Sequence, residues 1–180
     1  MKTFNSTFVI IFTFIASISF TSCEKGDTGA PGPQGPIGPP GNVNVISKTV
    51  TVSSGDWISY SNPLGGNMKG SQKAVPEITS SIVSTGAVMV YLRQSYNTGG
   101  YYYQALPFNR VVDSNNMRSY HFSISTNLLN LFIEETDNNI GSLGSYTYKV
   151  VIIPANRMAE NPDVNLLNYD EVKASFNLVE

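Results

Sequence analysis

The stretch that decides the fold is A-V-M-V-Y-L-R, residues 87–93, read together with Y-T-Y-K-V-V-I-I, residues 146–153. In the first, Val88, Val90 and Leu92 alternate with Met89, Tyr91 and Arg93. Side chains of a strand point to opposite faces with period two, so this is strand patterning and not the 3.6-residue period of a helix. The second is a β-branched and aromatic run that stops at Pro154, which cannot donate to a sheet ladder. The same alternation recurs outward along the chain. Ile46, Lys48, Val50 and Val52 oppose Ser47, Thr49 and Thr51; Tyr120, Phe122 and Ile124 oppose His121, Ser123 and Ser125; Leu129, Leu131 and Ile133 oppose Asn130, Phe132 and Glu134. Turn-forming residues separate these runs at Ser53-Ser54-Gly55-Asp56, Asn97-Thr98-Gly99-Gly100, Asp113-Ser114-Asn115-Asn116 and Asp137-Asn138-Asn139-Ile140-Gly141, and also across residues 62–67. The expectation is a mainly β domain over residues 42–180. It is an antiparallel, jelly-roll-like β-sandwich of seven or eight strands with a short C-terminal helix. For that helix Asn168 serves as cap with Glu171 three residues on, in the manner of a capping box, and Tyr169, Val172 and Phe176 share one face. The helix is expected to pack on the sandwich and protect its edge. No dinucleotide or P-loop glycine pattern is present, and strands do not alternate with helices, which argues against an α/β enzyme.

Upstream the composition changes. Residues 1–22 carry a single charge, Lys2, and a Phe-, Ile- and Val-rich core, the layout of an export signal and short for a membrane span of about 20 residues. Thr21-Ser22 precede Cys23, the only cysteine of the 180 residues. This junction resembles the lipobox of bacterial lipoproteins, with Phe20 where an aliphatic residue is usual. The resemblance implies cleavage before Cys23 and acylation, including palmitate, on its thiol. An exported chain with one cysteine has no internal disulfide partner, and acylation disposes of the reactive thiol. Two or three acyl chains, at about 0.8 kcal/mol per buried CH₂, hold a protein stably on a membrane. The other readings are an ordinary secretory signal and an uncleaved anchor.

Residues 26–41 then place glycine at every third position: Gly26, Gly29, Gly32, Gly35, Gly38 and Gly41. Five unbroken Gly-X-Y triplets with proline at X and Y are the repeat of a collagen-like tract, where only hydrogen fits at the triple-helix axis. At about 3.1 Å per residue the tract spans on the order of 50 Å. So short a tract reads first as a single-stranded, semi-rigid spacer; the other reading is a homotrimer wound through it.

Lipobox, Gly-X-Y tract and strand-rich domain follow in that order, with Val88-Met89-Val90-Tyr91-Leu92, Ala105-Leu106-Pro107, residues 148–154 and Asn168-Tyr169-Asp170-Glu171-Val172-Lys173 in the last part. The chain thereby resembles a group of bacterial collagen-like lipoproteins. The resemblance implies architecture and a lipid-anchored place in the cell envelope, the outer membrane favoured. It implies no catalytic residues.

Charge limits the partners. Loss of residues 1–22 takes Lys+Arg from 11 to 10 against 13 Asp+Glu, net −3, with no basic cluster, which argues against nucleic acid. His121 is the only histidine, so a histidine-built metal site is excluded by count and no metal or other cofactor is expected. The oxygen-rich run Glu134, Glu135, Asp137, Asn138 and Asn139 lacks the EF-hand series and reads as a polar turn, with calcium as the other reading. The most suggestive cluster is Tyr101-Tyr102-Tyr103, with Tyr96 and Phe108 nearby; in a strand Tyr101 and Tyr103 share a face. That face is a candidate surface for a glycan or protein ligand, the plain alternative being core packing. The expected function is therefore an anchored display or binding lipoprotein without catalysis, with a carbohydrate-binding module using Tyr101 and Tyr103 as the second reading.

Overall fold

The computed structural model describes residues 44–61 and 67–179. Cys23, the six repeat glycines and the boundaries expected upstream of residue 42 lie outside them. The described residues form nine strands: β1 (Ile46–Val52), β2 (Ile58–Ser61), β3 (Asn67–Ala74), β4 (Ala87–Ser95), β5 (Tyr101–Ala105), β6 (Phe108–Asp113), β7 (Asn116–Ser125), β8 (Leu128–Glu135) and β9 (Tyr146–Ile153). Three short helices join them: α1 (Ser80–Thr85), α2 (Ala155–Glu160) and α3 (Tyr169–Ser175).

Every strand pair is antiparallel, in two sheets ordered β1-β9-β4-β5 and β2-β3-β8-β7-β6. The expected β-sandwich is present. The alternating residues meet between the sheets: Val50 and Val52 of β1, Val88, Val90 and Leu92 of β4, Tyr148, Val150 and Ile152 of β9, facing Tyr120 of β7 and Leu129, Leu131 and Ile133 of β8. Most of these are fully buried, and each such side chain contributes about 1.5–3 kcal/mol of apolar transfer.

The two sheets differ in their outer faces. The five-stranded sheet turns His121, Ser123, Asn130 and Gln72 outward, and Gln72, Asn130 and Ser123 form a hydrogen-bonded ladder across three strands. The four-stranded sheet is covered on that side. Tyr91, Ala105, Val151 and Ile153 pack against Tyr169, Val172 and Phe176 of the C-terminal segment in a second core. This is why the second half of β9, residues 150–153, is apolar throughout: a strand buried on both faces there has no polar side to present.

The helix expected at the C-terminus is α3, and its three apolar residues are buried as expected. It lies over the outer face of β4, β9 and the edge strand β5, because its apolar side chains match the outward residues of those strands. The Asn168 side chain caps it by accepting from Asp170 N and Glu171 N. The reciprocal half of the capping box is missing: the Glu171 carboxylate accepts from Asn165 N at 2.8 Å, bracing the preceding loop instead.

Candidate functional site

The tyrosine cluster is built by the β4–β5 hairpin. Ser95 pairs with Tyr101 at its mouth, and the connecting loop closes through Tyr96 N to Gly100 O and Gly99 N to Tyr96 O. Gly99 and Gly100 take φ of 91° and 83°, a region side chains rarely enter, so the Gly-Gly pair is what lets the loop turn this tightly. From there β5 sends Tyr101 and Tyr103 to one side of the sheet and Tyr102 and Gln104 to the other.

The Tyr101 and Tyr103 side is the outer, helix-covered face. Tyr103 packs on Tyr169 at 4.5 Å between ring centroids, and Tyr169 lies 5.1 Å from Tyr91. The Tyr91 hydroxyl, fully buried, donates to Leu166 O at 2.7 Å. Burial, with the neighbouring Tyr169 hydroxyl second, raises the Tyr91 phenol far above its ordinary value. Lys149 lies beside the Tyr103 ring. Tyr103 is thus committed to holding the C-terminal segment. Tyr101 remains 51% exposed, with the Arg93 guanidinium 5.4 Å from its ring centre. Tyr101 and Tyr103 thus share one face, their rings edge-on at 5.7 Å, with Tyr101 on the surface and Tyr103 half-buried against Tyr169.

The other side of β5 opens into a groove. Its lining is Gln94, Ser95, Tyr96, Asn97, Tyr102, Gln104, Phe108, Asn109 and Arg110, around about 530 Å³. It lies where the sandwich changes sheets: Ala105, Leu106 and Pro107 carry the chain from β5, at the edge of one sheet, to β6, at the edge of the other. The inward-pointing residues of the two edges face this opening. Tyr96 and Tyr102, 53% and 39% exposed, stand with ring centroids 4.8 Å apart. Phe108 floors the β6 side by stacking on Tyr120 at 4.6 Å. Four amides, Gln94, Asn97, Gln104 and Asn109, bring donors and acceptors to the same hollow. No acidic side chain is among the described lining residues. A cleft of this size with ring faces and convergent amides is suited to binding a polar small ligand.

Sequence reasoning found Tyr96, Tyr102 and Phe108 as part of an aromatic cluster but did not find Gln94, Gln104, Asn109 or Arg110 as site residues. Their convergence depends on two sheet edges meeting, which no local pattern encodes.

The remaining candidates are placed as follows. His121 is half-buried on the outer face of the five-stranded sheet, stacked on Phe132, with Nε2 3.3 Å from Glu134 Oε1. The acids of residues 134–137 are not brought together. Glu134 points outward. Glu135 points inward to Arg118 and to Asn116 Nδ2, and Asp137 accepts from Asn139 N within its own turn. Among the described residues no three His, Cys, Asp or Glu side chains converge as a metal site. Trp57 donates from Nε1 to Gly144 O and packs edge-on to Tyr146, fixing the loop before β9. A second hollow, about 330 Å³, lies beside Asn44, Ser47, Arg157 and Phe176; Ser47 Oγ and Arg157 Nε are buried without a hydrogen-bond partner among the described residues.

Fold and groove together define a two-sheet sandwich domain with a polar-aromatic cleft at its open side. No family model, curated protein or solved structure matches this chain. Among the described residues no helix is long and apolar enough to cross a membrane.

Proposed function

We propose that this chain is a cell-envelope lipoprotein whose sandwich is a non-catalytic binding domain, anchored through acylated Cys23 and spaced from the membrane by the Gly-X-Y tract of residues 26–41. The observation that carries the binding role is the groove at the β5 and β6 edges, where Tyr96 and Tyr102 stand beside Gln94, Asn97, Gln104 and Asn109. Amides both donate and accept, so they match hydroxyl groups whichever way those point. Aromatic rings offer flat apolar surface to the C–H faces of a sugar ring. Carbohydrate is therefore the ligand class this lining fits best, through Tyr102 and Tyr96 in place of Tyr101 and Tyr103. The spacer fits the same purpose, since a tract on the order of 50 Å holds a binding domain clear of the lipid surface.

Two measurements test the two halves. Cys23→Ala is expected to move the protein out of the membrane fraction; retention of an unprocessed, membrane-bound form would refute lipid anchoring. On a glycan array, the detergent-solubilised full chain is expected to bind a restricted set of glycans and Tyr102→Ala to lose them. Binding that survives both Tyr96→Ala and Tyr102→Ala would place the ligand elsewhere.

A further inference from the structure

We infer that the groove takes an acidic glycan, one monoanionic carboxylate or sulfate per site, and that Arg110 is the group that reads the charge. This rests on the glycan-binding reading above and adds the charge of the ligand to it.

The inference starts from how the arginines of the described residues are used. Arg93 donates to Thr147 Oγ1 and lies against the Tyr101 ring. Arg118 pairs with Glu135, and Arg157 with Glu160. Arg110 is exposed on β6 and has no hydrogen bond or ion pair among the described residues. The strand register explains why. Arg110 stands directly opposite Arg118, and the acid that Arg118 pairs with, the buried Glu135, is already shared between Arg118 and Asn116. Two arginines opposite each other would normally repel, and the pairing is tolerated because one of them is neutralised. What is left over at the lip of the groove is a guanidinium with no counterion among the described residues.

The lining gives that charge no counterion. It includes no acidic side chain among the described residues, although the protein as a whole carries a net charge of −2. A local cation in a net-acidic protein selects for an anion at that spot and repels it elsewhere, which fixes ligand orientation as well as affinity. The planar guanidinium fork matches the paired oxygens of a carboxylate or sulfate, and a single fork balances a single negative charge. Gln104 and Asn109 flank it on the two strand edges, where they reach hydroxyls adjacent to the acid group, and Tyr102 supplies the ring face.

The test is an array of matched glycans: neutral backbones, the same backbones bearing uronic or sialic acid, and sulfated forms, probed with the full chain in detergent. Acid-bearing members are expected to bind about tenfold or more above their neutral parents, the size of a charge-assisted hydrogen-bond pair. That preference should weaken with added NaCl. Arg110→Gln should remove it, and Arg110→Lys, which keeps charge but not the fork, should retain part of it. Arg110 is exposed, so unchanged melting curves for both variants are expected. Equal binding of neutral and acidic members, or an acid preference that survives Arg110→Gln, would overturn the role of Arg110 and leave glycan binding standing. Failure to bind any member would overturn both. The carboxylate and sulfate arms tell the two acid groups apart.

Discussion

Removing Tyr91 should separate the two cores of this domain. Tyr91 sits in the middle of β4 on the outer face, is fully buried, and joins sheet to C-terminal segment twice: by its ring against Tyr169 and by its hydroxyl to Leu166 O. Tyr91→Phe keeps the ring and removes one hydrogen bond. Leu166 is only half-buried, so its carbonyl can turn to water, and the expected cost is about 1 kcal/mol, near the mean for one such bond. For a domain of this size that is about 4 °C in Tm. Tyr91→Ala also deletes the ring from a packed site and should cost about 3–5 kcal/mol. Equilibrium guanidinium denaturation followed through Trp57, the only tryptophan, measures both. A second readout comes from pH. Burial raises the Tyr91 and Tyr148 phenols above the ordinary value of 10.0. Above pH 10 the unfolded chain therefore releases protons that the folded chain retains, and stability falls as pH rises. Tyr91→Phe should make that alkaline loss less steep. If Tyr91→Ala costs less than about 1 kcal/mol, the C-terminal segment is not an integral layer, and the two-core description is wrong.

Three further expectations concern other parts of the fold. Asn168→Ala should cost about 1 kcal/mol through loss of the α3 cap, read as a lower guanidinium midpoint; no change would mean the cap bonds to Asp170 N and Glu171 N are not formed in solution. Glu135→Ala leaves the Arg118 charge without its counterion and should cost about 3 kcal/mol, the low end for a broken buried pair because Arg118 keeps some solvent contact and the Tyr146 hydroxyl; adding Arg118→Met should restore most of it. Asp56 and Glu77 are held below their ordinary values of 3.8 and 4.5, first by hydrogen bonds from Lys73 and Lys48 respectively. Their contribution is complete above those values and is lost as pH falls through the lower folded ones, so an acid melt should show destabilisation below about pH 4 that Glu77→Gln makes shallower.

Much of the sandwich was legible because the residues that fill its centre alternate. Val88, Val90 and Leu92, or Leu129, Leu131 and Ile133, announce a buried face with no help from context. β3 was not legible. Its inward side carries Lys69, Ser71 and Lys73; Ser71 is buried, and the two lysines reach Ser59 and Asp56 at the sheet margin, so the apolar-in pattern is absent. β2 and β6 are exposed edge strands held by one neighbour each, and their residues answer to pairing more than to burial. Helices α1 and α2, each six residues long, are too short for periodicity to register. In the candidate site, Tyr101, Tyr102 and Tyr103 were visible as a cluster, and their alternation was correct. Which face was free was not visible, since it depends on α3, nearly seventy residues later, covering Tyr103.

The two walls of the groove are unlike in stiffness. Behind β5 stands a continuous aromatic brace, Tyr103 on Tyr169 on Tyr91, which ties that wall to the second core. Behind β6 stand its ladder to β7, broken in register between Val111 and Asp113, and the Phe108 ring on Tyr120; beyond Phe108 its side chains lie in water. Local opening is cheapest where buried contacts are fewest. Arg110 lies two residues beyond Phe108, the anchored side chain of β6, so this stretch, and not the β5 wall, is where local opening costs least.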